Sequence, residues 1–170
     1  PYIDMRLEQT LFGAKFANPV LLAAGTCGFG EELQGVLNLG ALGGIVTKSV
    51  TLEPRAGNVA PRVVEAGNAM LNSIGLANPG LERVREEKLS WMKEHLSDIR
   101  VFVSVAGQTP DEFWRIVEGL DDAEGFLGYE LNLSCPNDTR REGLPFALDS
   151  EALREVVVGA RQLTRRPLLV

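Results

Sequence analysis

Two side chains that could support proton transfer follow short apolar stretches of the sequence. Cys135 lies in the stretch YELNLSCPND, directly after a run that predicts a β-strand, and Lys48 ends the β-branched run GIVTK. A thiolate can act as a base near neutral pH when its pKa is brought toward the working range. A lysine at the end of an apolar strand needs an anionic or polar partner to offset its desolvation. On position alone, however, a buried inert cysteine is the more common outcome, and a lysine that snorkels to the surface is as common as one with a partner in a site.

Amide side chains accompany both residues along the chain. Asn72, Asn132 and Asn137 can each donate and accept hydrogen bonds at once. That capacity suits a ring with alternating C=O and N–H groups and a carboxylate. Asparagine in a loop is more often only part of a turn, so the three residues become binding candidates only in a supporting context.

Composition narrows the classes of protein that the chain can represent. Its 170 residues are 45% hydrophobic and 24% charged, with a net charge of -6, which is typical of a globular chain and argues against nucleic acid or an anionic membrane as a partner. No apolar run reaches the ~18 residues of a membrane span, and the first residues do not form a signal peptide, so a cytoplasmic location is expected. Cys27, Cys135 and the single histidine, His95, are too few for a zinc site, so no metal and no disulfide are expected.

Strand and helix patterns alternate along the chain. Apolar or β-branched runs predict strands at 19–24, 44–50, 101–106, 129–133 and 167–170. Apolar residues at helical spacing predict helices that begin near Leu33, Leu81, Pro110 and Ser150. The expected N-caps of the last three helices are Asn78, Thr109 and Asp149 or Ser150. Residues 51–79 have no long period, which predicts an extended excursion containing a hairpin.

This alternation predicts an α/β protein with a parallel sheet and helices outside it. A doubly wound sheet and a (β/α) TIM barrel both fit the pattern. The barrel is favoured because small or polar residues occur where strands end, the face at which barrel enzymes build their sites. A complete barrel needs ~250 residues. Residues 1–170 are therefore expected to be the amino-terminal half of a single barrel domain, an incomplete barrel of four to five strand–helix units.

Four motifs, in order, resemble the class 1 dihydroorotate dehydrogenases. They are AAGTCGFG at 23–30, TKSVT at 47–51, NSIGLANPG at 72–80 and LNLSCPN at 131–137. The first and third are most similar to the NAD-linked subgroup, and class 2 members have serine in place of Cys135. The resemblance covers essentially the whole chain. It implies FMN-dependent oxidation of dihydroorotate to orotate in the de novo biosynthesis of pyrimidines (UMP).

The resemblance also implies a role for each candidate residue. Cys135 would be the base that removes a proton from C5 of dihydroorotate while a hydride leaves C6 for FMN. The residues expected to bind the substrate are Lys48, Asn72, Ser73, Ile74, Gly75, Leu76, Asn132 and Asn137. Those expected to lie against the flavin are Ala24, Gly25, Lys48, Ser49, Ser104 and Asn132. Residues 137–148 are expected to form a mobile lid over the substrate.

Two positions near the expected flavin depart from the subgroup pattern. Many members have serine where this chain has Ala24, and asparagine where it has Ser104. The loss of one hydrogen bond to the cofactor costs about 1 to 3 kcal/mol. We therefore expect a shift in the affinity or the potential of FMN without loss of the chemistry.

The resemblance implies partners as well, and other functions remain open. Dihydroorotate and orotate are the expected small molecules, an iron–sulfur flavoprotein is the expected electron-transfer subunit, and a homodimer or a heterotetramer is the expected assembly. The sequence leaves open whether NAD, through that subunit, or fumarate is the electron acceptor.

A dihydropyrimidine dehydrogenase-like flavoenzyme is one alternative function. A non-catalytic half-barrel that acts only as a binding or assembly module is another. Cys27, His95, Trp91 and Trp114 are expected to have packing or surface roles only.

Overall fold

A computed structural model of the chain describes residues 7–135 and 144–170. Its strands are β1 Gln9–Leu11, β2 Ala14–Phe16, β3 Leu21–Leu22, β4 Gly44–Val46, β5 Val63–Ala66, β6 Ala69–Asn72, β7 Arg100–Val105, β8 Gly128–Leu131 and β9 Leu168–Leu169. Its α-helices are α1 Leu81–Arg83, α2 Leu89–His95, α3 Pro110–Leu120 and α4 Ser150–Leu163. A π-helical turn, Val84–Lys88, joins α1 to α2 in one helical run.

The centre of the fold is a five-stranded parallel sheet in the order β3-β4-β7-β8-β9. Each of the five strands overlaps a run that the sequence predicts as a strand, although β7 and β8 each begin one residue earlier than predicted. The prediction of a parallel sheet is confirmed. Beyond the end of β4 the chain continues to pair with β7, because the amides of Thr47 and Val50 donate to the carbonyls of Phe102 and Ser104. This extended pairing fixes the path of residues 47–50 at the carboxyl end of the sheet.

The two faces of the sheet have different coverings. Alternate residues of β7, such as Val101 and Val103, belong to the main core with the buried stripe of α3, as do Val156 and Ala160 of α4. On the opposite face Phe102 packs with Phe16 and Val46 in a smaller core. Because side chains alternate along a strand, Ser104 lies on the same face as Phe102. That face is the inner one, away from the helices.

The helix caps agree with the sequence prediction at two of three positions. The Thr109 side chain accepts a hydrogen bond from the amide of Glu112, and the Asp149 side chain accepts one from the amide of Ala152. The prediction of Asn78 as a cap is wrong, because the helical run begins later, with Gly80 in the cap position at φ 83°. Asn78 is instead buried, and its Oδ1 accepts hydrogen bonds from the amides of Thr51 and Gly80.

The predicted first helix is absent from the structure. Two 3₁₀ turns, Glu31–Leu33 and Leu39–Ala41, take its place. Gly35 between them has φ 78°, which a right-handed helix does not accept. Val36, one of the residues whose spacing indicated a helix, is 81% exposed and therefore contributes no buried stripe.

Two antiparallel hairpins stand outside the parallel sheet. The sequence did not indicate the first, β1–β2, whose Phe16 stacks on Phe102 with ring centroids 6.4 Å apart. Its Phe16 packs with Val46 and Phe102 on the inner face of the sheet. The second, β5–β6, lies within residues 51–79 and turns at Gly67, which has φ 63°. Within the described residues, no helix is both long enough and apolar enough to cross a membrane.

Candidate active site

A cleft of about 490 Å³ lies at the carboxyl ends of β3, β4 and β8 of the parallel sheet. The hairpin β5–β6 forms part of its wall. Most of the residues that the sequence predicts as site residues line it. They are Ala24, Gly25, Lys48, Ser49, Asn72, Ile74, Gly75, Leu76, Asn132 and Cys135. Residues from four separate stretches of the chain therefore converge on one cavity.

Three predicted site residues are not part of this lining. Ser73 has its hydroxyl and carbonyl hydrogen-bonded to Asn58. Ser104 is fully buried behind Ser49, so its side chain does not reach the cleft. Asn137 lies outside the described residues, as does most of the predicted lid. The end of that lid prediction is wrong, because Phe146 is buried in the core with its ring edge-on to Phe113.

Lys48 brings a cation into the cleft from its position beyond β4. Its backbone amide donates a hydrogen bond of 2.7 Å to the carbonyl of Gly28, which anchors it to the loop after β3. Lys48 Nζ lies close to that loop, because a Cβ atom at Gly25 would be 3.8 Å from this nitrogen. Burial lowers the pKa of Lys48, and the negative charge of a Cys135 thiolate acts in the opposite direction. The cleft therefore contains a lysine that lacks full solvation and lies near a thiol.

The two cysteines occupy contrasting environments. Cys135 is a free thiol that lines the cleft and is partly exposed. Cys27 is 1% exposed, and its Sγ lies 3.5 Å from the carbonyl oxygen of Val46, to which it donates. Burial raises the pKa of the Cys27 thiol, which keeps it protonated. Cys135 is thus the cysteine that can take part in chemistry at this site.

Three hydroxyl and amide groups form a hydrogen-bonded chain that runs from the lining of the cleft to a buried residue behind it. The hydroxyl oxygens of Ser49 and Ser104 are 2.9 Å apart, and Asn132 Nδ2 donates to Ser49 Oγ over 3.0 Å. Each of the three residues comes from the carboxyl end of a different neighbour in the sheet, because Ser49 follows β4, Ser104 lies in β7 and Asn132 follows β8. The hydrogen bonds therefore fix the polar groups of adjacent strands relative to one another.

The stretch from Asn72 to Leu76 has an unusual backbone. Gly75 has φ 75°, and Leu76 has φ 53°, which is uncommon for a residue with a side chain. Asn58 holds the stretch from outside, because its Nδ2 donates to both the carbonyl and the hydroxyl of Ser73 and its amide donates to the carbonyl of Ile74. The conformation that presents this backbone to the cleft is thus maintained by a neighbouring loop.

Some contributors to the site were not found from the sequence. Thr26, Val63 and Met70 also line the cleft, and Asn58 supports it. A hairpin was predicted within residues 51–79, and the pattern VVEAGNAML, with Gly67 and Asn68 between two apolar runs, is the feature that could have located it and its residues Val63 and Met70. No local pattern distinguishes Asn58 from an ordinary loop asparagine.

The aromatic and histidine side chains of the helices take no part in the site. Trp91 stacks on His95 with centroids 4.6 Å apart, and His95 is exposed. Trp114 donates its Nε1 hydrogen bond to the carbonyl of Val156, which ties α3 to α4. Their contacts are those of packing residues.

Comparison with known proteins identifies the family. A sequence model described as dihydroorotate dehydrogenase matches residues 6–170. The catalytic subunit of dihydroorotate dehydrogenase B (NAD(+)) from Cutibacterium acnes is 42% identical over 158 residues, which are 91% of this chain and 51% of that protein. A putative dihydroorotate dehydrogenase A (fumarate) from Aquifex aeolicus is 40% identical over 98% of this chain and 53% of that protein. The chain belongs to the dihydroorotate dehydrogenase family.

A solved structure supports the same fold. A crystal structure of DHODH from Eimeria tenella in complex with ferulenol superposes with a TM-score of 0.76, at 24% identity, over 95% of this chain and 46% of that one. The chain therefore has the parallel α/β architecture of the TIM-barrel type, as the sequence predicts. It spans about half the length of the curated relatives that it matches.

Proposed function

We propose that this chain is the part of a dihydroorotate dehydrogenase that carries the catalytic base and much of the substrate site, and that it corresponds to the amino-terminal half of a single barrel domain. The observation that carries this proposal is the position of Cys135 in the same cleft as Lys48, Asn72 and Asn132. Family membership supports it, and the cleft volume falls within the roughly 300 to 1,000 Å³ typical of small-molecule sites.

The residues of the cleft fit a planar flavin. Gly25 leaves the wall beside Lys48 without a side chain, at φ 85°. Lys48, Ser49 and Asn132 supply one cation and two neutral polar groups that could contact the edge of the ring system. When bound, FMN would supply the acceptor for the hydride that leaves C6 of dihydroorotate. Ala24 and Gly25 would border the ring, and Ser104 would contact Ser49 and not the ring itself.

The reaction requires a base on the substrate face turned away from the flavin. Cys135, as a thiolate, takes the proton from C5, so that the C5–H bond breaks and an S–H bond forms. The electron pair of the broken bond becomes the C5=C6 double bond of orotate as the hydride departs from C6. Protonated Lys48, close to this thiolate, stabilises its negative charge before the proton moves.

The amides and the exposed backbone would orient the substrate. Asn72 and Asn132, with Asn137 from outside the described residues, can pair with the C=O and N–H groups of the pyrimidine ring. The backbone of Ser73, Ile74, Gly75 and Leu76 runs beside them. Lys48 is the cation in this lining that can attract the substrate carboxylate. The site would therefore bind a ring that is both an imide and an anion.

The assembly and the electron acceptor belong to the same proposal. Relatives that are named as catalytic subunits support an additional subunit, for which we propose an iron–sulfur flavoprotein that transfers electrons within a heterotetramer. The relative named for fumarate supports instead fumarate as the acceptor, and for that case we propose a homodimer. We propose a cytoplasmic location for either assembly.

Replacing each cysteine in turn tests the proposal. Cys135→Ser should slow anaerobic bleaching of the flavin by dihydroorotate about 10²- to 10⁴-fold at neutral pH, because serine is a far weaker base. Cys27→Ser is the matched control, since its hydroxyl can still donate to Val46 and it lies outside the cleft. Stopped-flow absorbance measures both rates. Equal rates in wild type and Cys135→Ser would refute the assignment of the base, and bleaching by dihydrouracil alone would indicate a dihydropyrimidine dehydrogenase.

A further inference from the structure

We propose that Ser104, which does not reach the cleft, positions the hydroxyl of Ser49 as a hydrogen-bond donor to a planar ring bound there. This inference rests on the proposed function, and it assigns to Ser104 an indirect role in place of direct contact with the ligand. The ligand class is a ring with a lactam edge, in which a C=O group stands next to an N–H group. FMN and orotate both have such an edge.

The backbone of the sheet sets the distance between the two hydroxyl groups. The amide of Val50 donates to the carbonyl of Ser104 over 2.8 Å, and the amide of Ser104 donates to Thr47 Oγ1 over 3.2 Å. Residues 47–50 are thereby held alongside β7 on both sides of Ser49. This register places the two serines side by side, with Ser49 Oγ and Ser104 Oγ 2.9 Å apart.

The burial of the two serines decides the direction of their hydrogen bond. Ser104 has no exposed surface and Ser49 is 2% exposed, but Ser49 lines the cleft and Ser104 does not. Among the described residues the hydroxyl of Ser104 has Ser49 as its hydrogen-bond partner. If Ser49 donated to Ser104, the proton of the buried Ser104 hydroxyl would have no acceptor among the described residues, which is unfavourable for a buried polar group. If Ser104 donates instead, its proton is used, and the proton of Ser49 is free to reach the cleft that Ser49 lines. The second arrangement is therefore favoured.

The same arrangement determines which of Ser49 and Asn132 donates a hydrogen bond to a ligand and which accepts one. Ser49 Oγ accepts from Ser104 and from Asn132 Nδ2, so both of its lone pairs are occupied and it can only donate. With its nitrogen engaged by Ser49, Asn132 retains its carbonyl oxygen as an acceptor. A donor beside an acceptor matches a C=O group beside an N–H group.

A double-mutant cycle on the flavin-loaded protein tests whether Ser104 acts through Ser49. We would measure the Kd of FMN with the reconstituted protein, and the Kd of orotate from the change in the flavin spectrum. Ser104→Ala should raise the Kd of the affected ligand about 3- to 10-fold, the loss of one neutral hydrogen bond. In the Ser49→Ala background, Ser104→Ala should produce no further change, because its only route to the ligand has been removed.

Two further variants keep the test valid if Ser104→Ala is poorly folded. Ser104→Cys is close in size and keeps a weak donor, so it should have a smaller effect in the same direction. Ser90→Ala is the matched control, since it removes an exposed serine hydroxyl from α2, where the hydroxyl donates to the carbonyl of Glu86. Thermal unfolding of each variant separates a change in stability from a change in binding.

Each outcome has a distinct meaning. An effect of Ser104→Ala on FMN alone, or on orotate alone, that vanishes without Ser49 supports the proposal and identifies which ring the hydroxyl contacts. Additive effects of the two substitutions, or no effect of Ser104→Ala on either ligand, overturn it while leaving the proposed function intact. A wild-type protein that binds neither FMN nor orotate overturns the proposed function and this inference together.

Discussion

Lys48 has a charge that the fold itself does not need. It stands beyond β4 with its ammonium partly removed from water, and this burial lowers the pKa of its side chain. A folded-state pKa below the unfolded value means that folding disfavours the charged form, so the charge reduces the free energy of unfolding at every pH below the folded pKa. A destabilising charge in a cleft is expected where ligand binding requires it.

We therefore expect opposite effects of Lys48→Met on stability and on binding. Methionine is similar in length and uncharged, so the Tm at pH 7 should be equal to or above that of the wild type. The Kd of orotate should rise about 10- to 100-fold, because a hydrogen bond to a charged group is worth about 1.5 to 3 kcal/mol. Calorimetry and titration of the flavin spectrum give the two quantities.

Lys15→Met is the matched control for this substitution. Lys15 pairs with Glu8 at the surface over 3.3 Å, with 72% of its side chain exposed. Its loss should leave the Kd of orotate unchanged. A Lys48→Met protein that is clearly less stable than wild type would show that Lys48 has a structural role, and one that binds orotate normally would contradict its role in binding.

Residue identities predicted which side chains line the cleft better than they predicted how far each side chain extends into it. Lys48, Asn72, Asn132 and Cys135 line one cleft, as the motifs imply. Ser104 was expected at the flavin because relatives have asparagine there. A serine side chain is shorter by an amide group, so at this position it ends at Ser49. Sequence identifies the position, whereas only coordinates show how far the side chain extends.

At the scale of elements, burial explains which predictions were right. The runs that predicted β4, β7 and β8 are β-branched or apolar and are almost entirely buried, so local preference and tertiary packing agree. Leu33, Val36 and Leu37 also had helical spacing, yet Gly35 interrupts them and no sheet face lies against Val36 and Leu37, which are exposed. Spacing predicts a helix only where a core is available to bury its stripe.

Substitution of Asn58 tests whether its loop maintains the backbone conformation of residues 72–76. Asn58→Ala removes two hydrogen bonds to Ser73, so the stretch that includes Gly75 and Leu76 should sample other backbone conformations. The Kd of orotate should rise about 3- to 10-fold, while the Tm changes little because Asn58 is exposed. Hydrogen exchange at the amide of Ser73, which is bonded to the carbonyl of Arg62, should become faster.

Asn38→Ala is the matched control for that prediction. Asn38 is also exposed, and its side chain makes no capping hydrogen bond to the 3₁₀ turn that follows it. The variant should keep the exchange rate of the Ser73 amide and the Kd of orotate. If Asn58→Ala leaves both quantities unchanged as well, the stretch maintains its conformation without this support.

At the scale of the whole molecule, a polar cluster joins successive strand–helix units away from the cleft. Tyr129 of β8 reaches the carbonyl of Val117 in α3 at 3.2 Å and Asp121 Oδ1 at 3.4 Å. Thr164, after α4, donates to the same carboxylate. The guanidinium of Arg166 lies 4.1 Å from the centroid of the Phe126 ring. The cluster lies near the amino-terminal ends of β8 and β9, the face of a barrel at which side chains serve stability.

Tyr129 should make the stability of the molecule depend on alkaline pH. Burial, together with the charge of Asp121, raises the pKa of its phenol above the ordinary value near 10. The unfolded chain therefore releases this proton first, and the contribution of Tyr129, fully present below pH 10, falls by about 1.4 kcal/mol per pH unit above it. Tyr129→Phe should cost about 0.5 to 1.5 kcal/mol at pH 7 through its lost hydrogen bond. Urea unfolding of both proteins from pH 7 to 11 should show the difference shrinking above pH 10, and curves that stay parallel would contradict it.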